Sequence, residues 1–264
     1  MESVISDIIA ASTLPDWDKE AVASAVDAAI KTWWEKDKDY EVIAVELYGE
    51  RPFRYKIDLV LQDRNGLVVV DWKTKTSGKL DERWVYREKH SYQPKLYVAA
   101  LSRILGRRIF PVRYEVRGVT IGERPQVAMI PMLLTHEDAL TAVRNLASIN
   151  RQRKALGKRY PWTRNPSGCE CFGPMYACEF GAFCWERGAV VPEGTDGNAP
   201  LSHTSASEFL RCPERYRLLR VLGKIEDEEG PHVAGIVFHR AMEVLYCQKL
   251  KQEDSILLSE KRRD

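Results

Sequence analysis

The residues of this chain whose types and spacing most directly imply chemistry are Asp58, Asp71 and Lys73. Asp71-Trp72-Lys73 closes an apolar run, Leu67 to Val70, and Asp58 lies in the preceding β-rich run. Between the runs stands Asp63-Arg64-Asn65-Gly66, a turn sequence that predicts a hairpin. Residues two apart on a strand share a face, so Asp71 and Lys73 project together. Carboxylates converging from adjacent strands form an oxygen-rich site suited to Mg²⁺ or Mn²⁺. A lysine beside them can orient a water and steady charge on a phosphate. That is the chemistry of phosphodiester hydrolysis. A surface hairpin whose charged end holds only an Asp–Lys pair is the competing reading. Glu46 is either an accessory acid or a solvated strand residue. Gln93 and Tyr97 are four apart and share one helical face.

The cysteines are a second constellation. They fall at 169, 171, 178, 184, 212 and 247, with none in the first 168 residues. The start of the chain has no basic segment followed by an apolar one, so a secretory signal is not expected. Clustered thiols in a reducing, cytoplasmic setting imply metal ligation. Zinc sites favour cysteine pairs two to four residues apart, a spacing that the 171, 178, 184 series lacks. Cys247 lies on an apolar helical face and reads as core. A basic stretch at 151–164 carries Arg151, Arg153, Lys154, Lys158 and Arg159, interleaved with Tyr160 and Trp162. It reads either as a surface contacting a DNA backbone or as a solvated helix end.

Elements to position these groups are legible from periodicity. Residues 16–36 are amphipathic at helical spacing. Strands are predicted at 41–48, 53–62 and 67–74, a helix at 88–105 broken or started near Pro94, and strands at 110–119 and 126–134. A helix follows at 135–157, capped by Thr135. This order predicts an α/β (α+β) fold, a mixed central sheet flanked by helices. Residues 1–187 then form the core with its cysteine-rich region and 188–201 a linker. Residues 202–264 form a helical segment, with helices at 204–220 and 233–252. With 40 basic and 38 acidic side chains among 264 residues, a globally basic nucleic-acid coat is excluded but a local basic surface is not. No apolar run approaches membrane-spanning length, so no membrane partner is expected.

Taken together, Ile57-Asp58, the run Val68 to Lys75 and Gln93-Pro94-Lys95-Leu96-Tyr97 resemble the motifs of the PD-(D/E)xK nuclease superfamily. The resemblance is to its RecB-like branch, which includes CRISPR spacer-acquisition nucleases and phage exonucleases. It implies a restriction-endonuclease-like core, with Asp58 and Asp71 as metal ligands, Lys73 catalytic, and Gln93 and Tyr97 supporting. Such nucleases often carry a [4Fe–4S] cluster, which here implies Cys171, Cys178 and Cys184 as ligands. The family's C-P-x-x-Y motif is matched by Cys212-Pro213-Glu214-Arg215-Tyr216, making Cys212 the implied fourth ligand, with Cys169 its rival; Zn²⁺ is the alternative occupant. Gly235 to His239 resembles the G-x-x-x-H helix, which implies His239 as a further metal ligand. The motif order is inverted, since these last two normally precede the core. A permuted chain, a truncated second domain, and self-association by swapping of the C-terminal helices all fit. The implied function is a metal-dependent DNA exonuclease; a degenerate nuclease fold that binds without cutting is the alternative.

Overall fold

In a computed structural model, the described residues are 2–51, 53–76, 79–106, 109–156, 202–217 and 231–252. The helical elements are α1 (Glu2–Ala10), α2 (Asp16–Ala29), a π-helical turn (Ile30–Trp34) running into α3 (Glu35–Asp37), α4 (Glu82–His90), α5 (Gln93–Ile104), α6 (His136–Leu156), α7 (His203–Arg211), the short α8 (Pro213–Tyr216) and α9 (Pro231–Gln252). The strands are β1 (Glu41–Gly49), β2 (Tyr55–Asp63), β3 (Gly66–Lys75), β4 (Val112–Thr120) and β5 (Val127–Leu134). They form one sheet in the order β1-β2-β3-β4-β5. β2 and β3 are antiparallel, β3 and β4 parallel, and β4 and β5 antiparallel. The mixed sheet flanked by helices is the architecture that the sequence predicts.

Two compact units divide the chain. One comprises residues 1–48, 56–139 and 228–264, the other 49–55 and 140–227. In the first unit, α1, α2 and α9 bury one face of the sheet. Leu59 and Leu61 of β2, Val68, Val70 and Trp72 of β3, and Val119 of β4 pack there against Val22, Val26, Phe238, Met242 and Leu245. Alternation explains the division of labour: Trp72 enters this core, so its neighbours Asp71 and Lys73 face the other side. In β3 the whole run from Val68 to Asp71 is buried, as expected of a central strand covered on both faces.

Several local expectations are refined. The helix predicted over 88–105 is two helices, α4 and α5, separated at Ser91–Tyr92, with Pro94 in the first turn of α5, where its missing N–H costs nothing. The helix predicted over 204–220 is interrupted at Cys212, which adopts an extended conformation (φ −156°, ψ 106°) because the following Pro213 disfavours the helical region there. α1 has no counterpart in the sequence reading. The Thr135 cap forms: Asp138 N–H donates to Thr135 Oγ1 at 3.2 Å, and Asp138 Oδ2 accepts from the Thr135 N–H at 2.9 Å. The cysteines at 169, 171, 178 and 184, Lys158, Arg159 and the linker at 188–201 lie outside the described residues.

Candidate active site

The site forms where β2 and β3 stop pairing. Their ladder ends at Leu59↔Val70. Just beyond it, the Trp72 N–H donates instead to Asp58 Oδ2 at 2.7 Å. A side-chain carboxylate thus replaces a ladder carbonyl, which satisfies a buried N–H and fixes the orientation of Asp58. Asp71 is 2% exposed. Its Oδ1 accepts from Gln93 Nε2 at 2.9 Å, and its Oδ2 lies 2.8 Å from Lys73 Nζ. Lys73 Nζ also donates to Gln93 Oε1 at 2.8 Å. Gln93 therefore uses both ends of its amide, one on each member of the Asp71–Lys73 pair. It can do so because it begins α5, whose first turn stands beside the strand ends. Tyr97, one turn later, is also buried; burial, with Asp71 and Asp58 nearby, keeps its phenol protonated well above neutrality.

From the opposite side of the sheet, α9 delivers His239. Its Nδ1 lies 3.8 Å from Asp58 Oδ2. Phe238, its neighbour, is fully buried and packs edge-on to Trp72 at 6.1 Å. One turn earlier, Gly235 allows close approach: a Cβ there would lie 2.7 Å from Thr74 Oγ1. The glycine and histidine of this helix thus act as a unit, one seating α9 on β3 and the other reaching the acids. Glu46 on β1 completes the group, with one ligand atom from each of Glu46, Asp58 and His239 lying within 4.8 Å of the others. Glu46 has φ 53°, a left-handed conformation rare for a residue with a side chain. It forms an ion pair with Lys56.

Electrostatics mark these acids as unusual. Burial raises Asp58 above the ordinary carboxylate range, although Lys73, the Trp72 N–H and Lys56 pull it down. Burial raises Asp71 to about 6, against Lys73, with Asp58 adding to the rise. Burial lowers His239 to about 4, outweighing Asp71. For Lys73, burial acts to lower, yet Asp71 and Asp58 prevail and hold it raised, so it stays an ammonium. Two acids resisting ionisation beside a neutral imidazole form a site that favours an added cation. Two oxygen donors and an imidazole at such spacing fit Mn²⁺ and similar divalent ions.

A cavity of about 520 Å³ opens beside this cluster, lined by Glu46, Lys56, Thr74, Thr76, His239 and Arg240 among others. Lys56, Thr74, Thr76 and Arg240 had no distinguishing sequence signal, since each sits in a pattern typical of solvated positions. Glu88 was likewise missed: it is 7% exposed and close enough to Asp71 and Lys73 to bear on both. Its spacing of four from the buried Trp84 was the available clue.

The second unit holds the remaining expectations. Cys212 is 4% exposed and not in a disulfide. Arg151 and Lys154 are exposed. Arg153 must be corrected: it is 4% exposed, and its guanidinium donates to Tyr216 Oη and Asn150 Oδ1, each at 2.9 Å. It turns inward because it satisfies the tyrosine of the C-P-x-x-Y segment, so it is not part of a solvent-facing DNA surface.

Comparison with known families finds a match to the family described as the PD-(D/E)XK nuclease superfamily, over residues 2–184 and 200–262. A comparison with curated proteins finds no match.

Proposed function

This chain belongs to the PD-(D/E)XK nuclease superfamily, and from that premise we propose that it is a divalent-metal-dependent DNA exonuclease of the RecB-like branch. The observation that carries the reading is the convergence of Glu46, Asp58 and His239 within 4.8 Å, beside the Asp71–Lys73 pair. Asp58, Asp71 and His239, with Glu46, are the residues that would hold Mg²⁺ or Mn²⁺. Such an ion lowers the pKa of a ligated water and neutralises charge on the scissile phosphate. Lys73 remains protonated beside Asp71 and Gln93, so it acts as a hydrogen-bond donor to the water or to the developing phosphate charge rather than as a free base. Gln93 holds the lysine and Asp71 in register. His239, neutral above a pH of about 4, offers a lone pair throughout the physiological range. Tyr97 contributes a protonated hydroxyl at the same edge. The exposed Arg151 and Lys154 suit a nucleic-acid backbone.

The cysteines support a structural [4Fe–4S] cluster in this proposal, with Cys171, Cys178, Cys184 and Cys212 as ligands and Cys169 as the alternate. The supporting observation is the buried Cys212 at the head of the proline-initiated α8. Iron and acid-labile sulfide in anaerobically purified protein would support this; stoichiometric zinc without iron would overturn it.

The central test is digestion of end-labelled single-stranded and blunt duplex DNA with Mn²⁺ or Mg²⁺ against EDTA. Progressive shortening from an end, dependent on the ion, is expected. No cleavage with either ion would refute the nuclease reading, while cleavage of closed circular DNA would refute the exonuclease assignment.

A further inference from the structure

α4 has two faces with different chemistry. Its inner face holds Trp84 and Glu88, both buried. The Trp84 ring fills the notch left by Gly118 of β4, where a Cβ would come within 2.6 Å of it, and Gly118 pairs directly with Lys73. α4 is therefore seated beside the reactive lysine. Its outer face carries Arg83, Tyr86, Arg87 and His90, all exposed, at i, i+3, i+4 and i+7, which is one continuous stripe. Tyr86 is 66% exposed. Its ring stacks on that of His90, with centroids 4.1 Å apart and planes 25° from parallel. His90 is further held by a 2.7 Å contact between its Nδ1 and the Tyr86 carbonyl. The Arg87 guanidinium donates from Nη2 and Nε to Glu88 Oε1, at 2.9 and 3.0 Å, while its side chain remains 69% exposed. The exposed acids Asp81 and Glu82 lie at the first turn, and Asp81 is engaged in capping Trp84 N–H at 3.0 Å. The last turn bears Arg87, Lys89 and His90.

We propose that the Arg83–Tyr86–Arg87–His90 stripe is a docking surface for single-stranded nucleic acid, which it delivers toward the Asp71–Lys73 site. An exposed aromatic pair presents π-faces on which unpaired bases stack irrespective of sequence. Guanidinium groups on either side suit the phosphates of the same strand. A duplex hides its base faces, so this surface selects unpaired strands or frayed ends. A helix is about 10 Å across, which places the stripe one helix width from the buried acids, within reach of nucleotides flanking the reacting phosphate. This inference rests on the nuclease reading of the site.

The test uses the full chain and a labelled oligothymidylate in EDTA, which halts cleavage. Fluorescence anisotropy would compare wild type with Arg83→Ala/Tyr86→Ala and with Tyr86→Phe. The double variant is expected to bind roughly tenfold or more weakly, while Tyr86→Phe, which keeps the stack, stays near wild type. Affinity unchanged in the double variant, or an equal loss for blunt duplex, would overturn the proposal. If wild type cuts DNA with Mn²⁺ while the double variant binds normally, only this surface fails. If wild type neither cuts nor binds, the nuclease reading fails with it.

Discussion

Two buried ionic clusters lie along the same sheet, and they answer burial in opposite ways. In the first, Arg117 of β4 is fully buried and pairs with Asp37 at 2.5 and 2.8 Å and with Glu115 at 2.7 and 2.9 Å. Tyr246 of α9 donates to Asp37 at 2.6 Å, Lys36 reaches Glu115 at 2.7 Å, and Lys249 donates to the carbonyls of Asp37, Lys38 and Tyr40. The Arg117 guanidinium also lies over Trp33 and Trp72. Burial acts to raise Glu115, but Arg117 and Lys36 overcome it and hold the acid lowered. Burial acts to lower Arg117, but Asp37 overcomes that in turn. Charge here is compensated within the protein. In the second cluster, burial raises Asp58 and Asp71 despite Lys73, and burial lowers His239 with Lys73 and Lys56 adding to the fall. The difference teaches that burial of charge is not itself a mark of function. What marks the site is a cluster whose charged forms remain disfavoured, so that binding an external cation is what relieves it. The compensated cluster has its own use: it pins the C-terminal half of α9, the helix that presents His239.

Breaking each cluster should therefore give opposite phenotypes. The largest effect is expected from Asp71→Ala, which should lower cleavage by roughly 10³-fold or more, since it disrupts charge stabilisation of several kcal/mol. The same variant should unfold at an equal or higher temperature than metal-free wild type near neutral pH, because a carboxylate whose ionised form burial disfavours has been removed. A cleavage assay beside a thermal melt checks both, and an active Asp71→Ala enzyme would dismantle the site assignment.

Next is Asp37→Ala, which leaves Arg117 buried beside an incomplete set of partners. It is expected to cost about 3–5 kcal/mol in urea unfolding, as for other broken buried pairs. A loss well below that would show that the network is less desolvated than its geometry indicates.

The pH dependence sharpens the contrast. Asp71, raised to about 6 in the fold, is protonated there at pH values where the unfolded chain has already ionised it. Its contribution to metal-free stability is present below its unfolded pKa of about 4 and is lost as pH rises through about 6. A divalent ion needs the ionised carboxylates, so the thermal stabilisation given by Mn²⁺ should grow as pH rises through about 6 and then level off. His239, neutral above about 4, should not shift that midpoint. A stabilisation by Mn²⁺ that is flat from pH 5 to 8 would contradict the assignment.

The smallest effect is expected from Gly235→Ala. Its Cβ would come 2.7 Å from Thr74 Oγ1, so the Thr74 hydroxyl must turn away or α9 must shift; overpacking of this kind costs about 1–3 kcal/mol. A shift of α9 carries His239 with it, so Mn²⁺ affinity measured by calorimetry should fall along with stability. A stability loss with unchanged affinity would show that the glycine serves packing alone.

How much of this was readable in advance differs between the two clusters. Asp58, Asp71 and Lys73 were legible because strand alternation and an Asn-Gly turn place them together by local rules; helical spacing put Gln93 and Tyr97 on one face, and the family resemblance implied that they belong beside the acids. The Arg117 network was not legible. Asp37, the Glu115–Arg117 pair of β4 and Tyr246 come from three separate segments, and a charged residue in a strand ordinarily reads as solvent-facing. Arg153 shows the same limit in reverse, counted with exposed basic neighbours but bonded to Tyr216 from a distant helix.

Sequence by itself determined the order of strands and helices, the hairpin with its D-x-K end and the capped α6, because each depends on contacts within a few residues along the chain; the mixed sheet was the expectation that this order carries, and the glycine-led helix of His239 was implied by the family resemblance. The tertiary structure alone decided that His239 of α9 meets Asp58 within one chain despite the inverted motif order, that Glu46 joins them in a left-handed conformation, and that Gln93 bridges Asp71 and Lys73. These depend on which helix packs on which sheet face and how closely. That is settled by burial of Trp72, Phe238 and Tyr246 together, a sum over distant residues that no local pattern encodes.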